Sequence, residues 1–251
     1  MNLLRTLKKS VHSLIRKAGY ELVRVEQPNQ DQLGRDPFLD MRFHLSGVAQ
    51  PVIFDVGANI GQSVDKLKEI FPGSIMHSFE PSPSTYARLQ SHCQGREGVR
   101  TWNCGIGSSR GTLPFTENTK PDMSSFLAPG ELCWGSVAKV TEVPVETLDS
   151  FAEEQHIDFI HVLKSDTQGY DFEVFKGAER LMNENKIALV YFEFIFSDMY
   201  KNLPPFHEVF KFLTAHNFAL VSFYESHFQK DLVSWTDVMF VNREFYGRYQ
   251  S

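Results

Sequence analysis

Residues 52–61 read V-I-F-D-V-G-A-N-I-G, and few folds accept such a run. An apolar stretch from Pro51 to Phe54 ends in an acid, Asp55. A turn punctuated by glycine follows, Gly57-Ala58-Asn59-Ile60-Gly61. Beyond it Val64, Leu67, Ile70 and Phe71 recur at helical spacing. Strand, tight glycine turn and helix, in that order, make the first half of a nucleotide-binding βαβ unit.

The rest of the chain extends this unit. Strands are expected at 75–80, 99–104, 158–163, 187–196, 219–224 and 238–241. Helices are expected across 36–50, from Pro83 or Ser84 onward, and across 146–155, 170–185 and 207–217. Residues 105–111 read as a turn. From 112 to 145 the alternation breaks, and strands at 112–115 and 139–145 flank a loop rich in Pro, Ser and Gly. This reads as an inserted hairpin or lid over the sheet, with 124–126 either lining a site or forming a solvated tip. The pattern predicts an α/β fold with a mostly parallel sheet and helices on both faces. The last two strands suit an antiparallel pair.

Residues 1–35 are expected to form a basic helix and linker, and 36–251 the α/β domain. In the first segment Leu3, Leu4, Leu7, Val11, Leu14 and Ile15 share one helical face, with Arg5, Lys8, Lys9, Arg16 and Lys17 around it. Such a helix either packs on the protein's own core or makes peripheral contact with an anionic membrane through 1–20. No continuous apolar run marks a signal peptide there. A net charge of -6 argues against nucleic acid as a partner. Cys93, Cys104 and Cys133 form no C-x-x-C pair, which suits free thiols in a reducing, cytoplasmic setting. No His and Asp cluster has metal-ligand spacing, so no metal is expected.

Ligands of open α/β sheets sit at the carboxyl ends of the strands. Here those ends carry Asp55, Glu80, Asn103, Asp166 and Glu193. Gly57 and Gly61 admit close approach of a ligand to the backbone, with Asn59 between them. The helix N-terminus favours an anionic group such as a carboxylate. Glu80 lies about 20 residues beyond the turn, where an acid accepts ribose hydroxyls. Asp55 is expected beside a positive group such as an amine. The chain has neither the G-x-x-x-x-G-K-[ST] phosphate loop nor the G-x-G-x-x-G turn of dinucleotide enzymes. Ribose, amine and carboxylate together point to S-adenosyl-L-methionine.

Several blocks then occur in the order of one family: F-D-V-G-A-N-I-G-Q-S at 54–63, F-E-P-S-P at 79–83, E-T-L-D-S-F at 146–151 and L-K-S-D-T-Q-G-Y-D-F-E-V-F-K-G-A at 163–178. F-E-F-I-F-S-D-M-Y at 192–200 and W-T-D-V-M-F-V-N at 235–242 continue the series. With these blocks the chain resembles the FkbM-type S-adenosylmethionine-dependent methyltransferases from about Pro51 to Asn242. Ser165 and Asp171 depart from the family pattern, which has an aliphatic residue and Glu there. The resemblance implies a Rossmann-like class I methyltransferase with a seven-stranded sheet, one strand antiparallel. It implies methylation of a hydroxyl on a sugar, glycan or secondary metabolite, hence a small-molecule or glycan acceptor.

An alcohol attacks well only when a base accepts its proton. Asp166 and Glu193 are the candidate bases, though Asp166 is also placed to bind the cofactor amine. The cofactor set is Asp55, Gly57, Asn59, Gly61, Glu80, Asn103 and Asp166. His161, inside a strand, is expected to pack. Gly107-Ser108-Ser109-Arg110-Gly111 matches G-x-S-x-G, but a strand rather than a helix is expected after it, unlike a nucleophile elbow. An NAD-dependent oxidoreductase and an N-methyltransferase are the alternatives.

Overall fold

The computed structural model describes residues 33–249, which fall in one unit, Leu33–Ser251, and the basic stretch at 1–20 lies outside them. The first helix, α1 (Pro37–His44), is set by its cap. Asp36 accepts the N–H groups of Phe38 and Leu39 at 2.9 and 3.2 Å. Pro37 fills the first turn, where no donor is needed. Then β1 (Val52–Val56), α2 (Gln62–Ile70), β2 (Ile75–Phe79), α3 (Pro83–Cys93) and β3 (Val99–Trp102) follow. Ser82 caps α3 by accepting Thr85 N–H, and Pro83 opens it.

The insertion comes next, with β4 (Gly105–Ile106), β5 (Gly111–Asn118) and β6 (Val137–Glu146). The chain returns through α4 (Leu148–Glu154), β7 (Ile160–Ser165), α5 (Asp171–Lys176), α6 (Glu179–Asn183), β8 (Ile187–Ile195) and α7 (Phe206–Ala215). A hairpin, β9 (Phe218–Gln229) and β10 (Leu232–Asn242), completes the sheet. Its turn, Lys230-Asp231, has φ of 49° and 65°, the double positive φ of a tight hairpin turn.

Seven strands pair in the order β3-β2-β1-β7-β8-β10-β9. β10 runs against both neighbours, and the other pairings are parallel. From β1 the chain first builds outward to β3, then returns to β1's other side with β7. This reversal opens a crevice at the carboxyl ends of β1 and β7.

Alternation along the strands serves two cores. Phe54 and Val56 of β1 face Phe79, Phe151, Phe175, Phe192 and Phe240. Ile53 faces Met76, Val162 and Leu189 below Val64, Leu67 and Leu89 of the helices. A sheet buried on both faces needs apolar residues at successive positions, which is why β8 reads I-A-L-V-Y-F.

Three expectations need correction. Residues 105–106 are not turn but strand. Gly105 and Ile106 pair in parallel with Val145 and Glu146, completing a three-stranded sheet ordered β4-β6-β5. A side chain at Gly105 would collide with the Phe126 ring that packs there.

The single helix expected over 170–185 is two helices, broken at Gly177-Ala178. Asp149 of α4 makes the break. Its N–H donates to the Gly177 carbonyl at 2.9 Å, and its carboxylate accepts Arg180 and Leu181 N–H at 2.9 and 3.0 Å. That cap comes from 31 residues away and leaves no local mark. Finally, β9 and β10 run well past the expected strands. Much of 225–233 is exposed, so apolar alternation fails there while backbone pairing continues.

Candidate active site

A cavity opens at the carboxyl ends of β1, β2 and β7, roofed by the insertion. Val56, Gly57, Asn59, Glu80, Ile106, Phe126, Asp166, Thr167 and Gln168 are in its wall. Cys104, Phe79 and Phe115 give the same wall an apolar part. Of the loop residues 124–126, Ser124 and Phe126 line the cavity. Ser125 is buried and donates to the Gln168 carbonyl at 2.8 Å, so this loop is no solvated tip.

Glu80 ends β2. The turns after β1 and β2 wrap its carboxylate, with Asn59 N–H donating to one oxygen at 3.1 Å and Ser82 N–H to the other at 2.9 Å. Burial pushes this carboxyl up to about 7, against the pull of those donors. Asn103 does not line the cavity. Its amide donates to the carbonyls of Glu80 and Pro81 at 2.8 and 3.1 Å, bracing the loop that presents Glu80. Glu117 of β5 holds that loop to the insertion. It accepts from Ser82 Oγ at 2.8 Å, Ser84 Oγ at 3.2 Å and Thr141 Oγ1 at 2.7 Å, and pairs with Lys139 at 3.1 Å.

Asp55 sits elsewhere than expected. It is fully buried and outside the cavity wall. The sheet register sets Asp55 opposite Lys164, and their ion pair is 3.0 Å. Ser63 Oγ donates to the other carboxylate oxygen at 2.7 Å. Its positive partner is therefore a lysine of the next strand, not an external amine. Burial opposes the charge on Lys164, but Asp55 and Asp166 outweigh it and hold the ammonium above its usual pKa.

The glycines also have internal reasons. Gly57 lines the cavity at φ 76°, and a Cβ there would strike the Asp166 carbonyl. The close approach it permits is of one strand end to the next. Gly61, at φ 102°, starts α2, and a Cβ there would meet His92 of α3 at 2.6 Å. It serves helix packing and lies outside the wall.

Asp166 and Glu193 are brought together by a residue the sequence reading passed over. Gln168 Nε2 donates to Asp166 Oδ1 at 2.9 Å and to Glu193 Oε1 at 3.0 Å. Asp166 lines the cavity with its side chain 40% exposed, and Lys164 lies 3.6 Å from its Oδ2. Glu193 lies behind it, in a small adjoining cleft with Asp171 and Phe194. Burial, then Asp166 and Asp237, push Glu193 well above the usual carboxylate range.

Ser165 and Asp171, the two departures from the family pattern, bond to each other. Ser165 Oγ donates to Asp171 Oδ1 at 2.5 Å. His161 is structural, accepting Val52 N–H at 3.0 Å at the opposite end of β1. The G-x-S-x-G stretch leads directly into β5, without the helix of a nucleophile elbow.

Comparison with known proteins names the chemistry. The family described as "Methyltransferase FkbM domain" matches residues 55–220. The chain belongs to this family. It is 28% identical over 175 residues to "Methyltransferase sdnD" of Sordaria araneosa, covering 58% of this chain and 67% of that one. It is 22% identical over 197 residues to "2-O-methyltransferase NoeI" of Sinorhizobium fredii, covering 72% of this chain and 80% of that one. It is 26% identical over 142 residues to "Hexuronic acid methyltransferase AglP" of Haloferax volcanii, covering 55% and 54%. The protein is an S-adenosylmethionine-dependent methyltransferase, and the oxidoreductase alternative falls with that membership.

The residues present fit this cofactor. Glu80 offers a carboxylate to ribose hydroxyls, and Asp166 is the cavity acid open to an amine. Asn59 Oδ1 is buried in the same wall without a hydrogen-bond partner among the described residues, an acceptor waiting for a donor. The apolar part of the wall, with Phe79, Phe115 and Phe126, suits a flat heterocycle. Among the described residues, no helix is long and apolar enough to cross a membrane.

Proposed function

We propose that this methyltransferase acts on a hydroxyl oxygen of a sugar, or of a small molecule or glycan bearing one, with Asp166 as the base. The observation that carries the reading is the Asp166 carboxylate, open at the wall of the cofactor cavity while the other strand-end acids are wrapped or set back. Bound S-adenosylmethionine supplies a methyl group on a sulfonium. Glu80, Gly57 and Asn59 would hold its nucleoside and amino-acid parts. Asp166 accepts the hydroxyl proton, which an alcohol must lose to attack. The insertion excludes water, and fixed geometry supplies much of the rate. The relatives named for 2-O-methylation and for hexuronic acid support an oxygen on a sugar. The peripheral membrane contact proposed for 1–20 rests on sequence alone.

The test uses S-adenosylmethionine carrying a 13C methyl, incubated with a metabolite extract of a deletion strain. The product's carbon shift separates O-methyl from N-methyl. Asp166→Asn, saturated with cofactor, should lose most turnover. Full turnover in that variant places the base elsewhere, and a labelled N-methyl product overturns the acceptor assignment.

A further inference from the structure

The side chain that joins both candidate bases belongs to neither the cofactor set nor the bases themselves. Gln168 is nearly buried and holds a left-handed backbone, φ 54°. Its Nε2 gives both protons to carboxylates, Asp166 Oδ1 at 2.9 Å and Glu193 Oε1 at 3.0 Å. Its Oε1 accepts from the Tyr200 hydroxyl at 2.9 Å. Reversing the amide would set its carbonyl oxygen against the Asp166 carboxylate, which disfavours the other orientation. Tyr200 also reaches the Met123 carbonyl at 3.1 Å, and Ser125 Oγ donates to the Gln168 backbone carbonyl at 2.8 Å. Gln168 is thus gripped from the insertion on one side and from both candidate bases on the other.

Asp166 needs such a grip. Lys164 lies 3.6 Å from its Oδ2 and already pairs with Asp55 at 3.0 Å. Without a second holder, that buried ammonium would draw the Asp166 carboxylate away from the cavity. We infer that Gln168 is a positioning residue, keeping Asp166 turned to the acceptor and tying its placement, through Tyr200, to the seating of the insertion. The inference rests on the proposed role of Asp166 as the base.

Carboxyl titration followed by NMR on 13C-labelled Glu and Asp tests it, with Glu193→Gln assigning the Glu193 signal. The groups facing Glu193 are Asp166 and Lys164 from β7 and its end, Asp171 of α5, Asp237 of β10, Tyr191 of β8, and Tyr200. All are kept in the two variants except the one changed. Gln168→Met keeps the length and removes the donors. It should raise the Glu193 midpoint by on the order of one pH unit, since a bond to the charged form is lost. Tyr200→Phe touches neither carboxylate, yet should shift Glu193 the same way by less, because Gln168 loses its anchor. The double variant should match Gln168→Met alone.

An unmoved Glu193 midpoint in Gln168→Met, shifts that add in the double variant, or an Asp166 carboxyl 13C signal (assigned with Asp166→Asn) that stays at its wild-type position in Gln168→Met overturns the inference. If Gln168→Met does not fold, Tyr200→Phe decides: an unchanged Glu193 midpoint overturns it. Turnover of Asp166→Asn keeps the two readings apart. Full turnover there loses Asp166 as the base, while the carboxyl midpoints still report on Gln168.

Discussion

Glu80→Gln separates the two jobs the site gives this carboxylate. The wild-type side chain is 6% exposed and accepts one backbone N–H on each oxygen. Glutamine keeps a single acceptor oxygen, so one of those N–H groups faces an NH2, at a cost of about 1–3 kcal/mol. Against this, glutamine has no charge to desolvate. Burial raises the Glu80 carboxyl from 4.5 to about 7. At pH 8 that rise corresponds to roughly 3 kcal/mol of destabilisation, because ionisation is harder in the folded chain. The two effects nearly cancel, and Tm should move by only about 4 °C or less.

Cofactor binding has no such compensation. A charged acceptor is worth about 1.5–3 kcal/mol per hydrogen bond, so losing it to the ribose hydroxyls should weaken binding roughly 100-fold or more. The assay is isothermal titration with S-adenosylhomocysteine at pH 8, beside thermal unfolding of the same samples. A folded variant that binds as well as the wild type refutes the assignment. So does a collapse of Tm, which would make Glu80 chiefly a pin for the turn.

The same carboxyl gives a pH dependence. Its folded pKa is raised, so its contribution to stability falls as pH rises from about 4.5 to about 7 and is level above. Ribose hydroxyls favour the ionised form, so S-adenosylhomocysteine should bind more tightly as pH rises towards about 7 and then plateau. A flat titration series across that range would count against it. Asp55→Ala leaves Lys164 buried with its nearest carboxylate 3.6 Å away. Urea denaturation should show a loss of about 3–5 kcal/mol, and a loss below 1 kcal/mol would mean that water reaches the ammonium. Gly57→Ala sets a Cβ on the Asp166 carbonyl at a positive φ. It should cost more than about 2 kcal/mol and weaken cofactor binding, and a wild-type Tm would show that the turn gives way.

Much of this molecule follows from chain order alone. Helix starts at Pro37 and Pro83 depend on a cap and a proline within four residues, so local sequence decides them. The strand-turn-helix at 52–70 and the acid ending β2 are equally local, because side-chain periodicity and backbone freedom act over a few residues. Partnership between strands is different. Asp55 reads as an acid at a strand end, and only the parallel register of β1 and β7 shows that Lys164 neutralises it. A lysine inside the apolar strand I-H-V-L-K-S was the available signal, since such a charge is buried only when paired. Gln168 carried no signal, because its importance lies in Asp166, Glu193 and Tyr200 converging from separate segments. The break at Gly177 likewise depends on Asp149, a cap lent by another helix. Sequence by itself determined most of the elements, their alternation and the acids at the strand ends. Tertiary structure decided which acid is sealed by a lysine, which wraps into the turn and which stays open to the cavity, because burial and charge pairing arise only when distant segments meet.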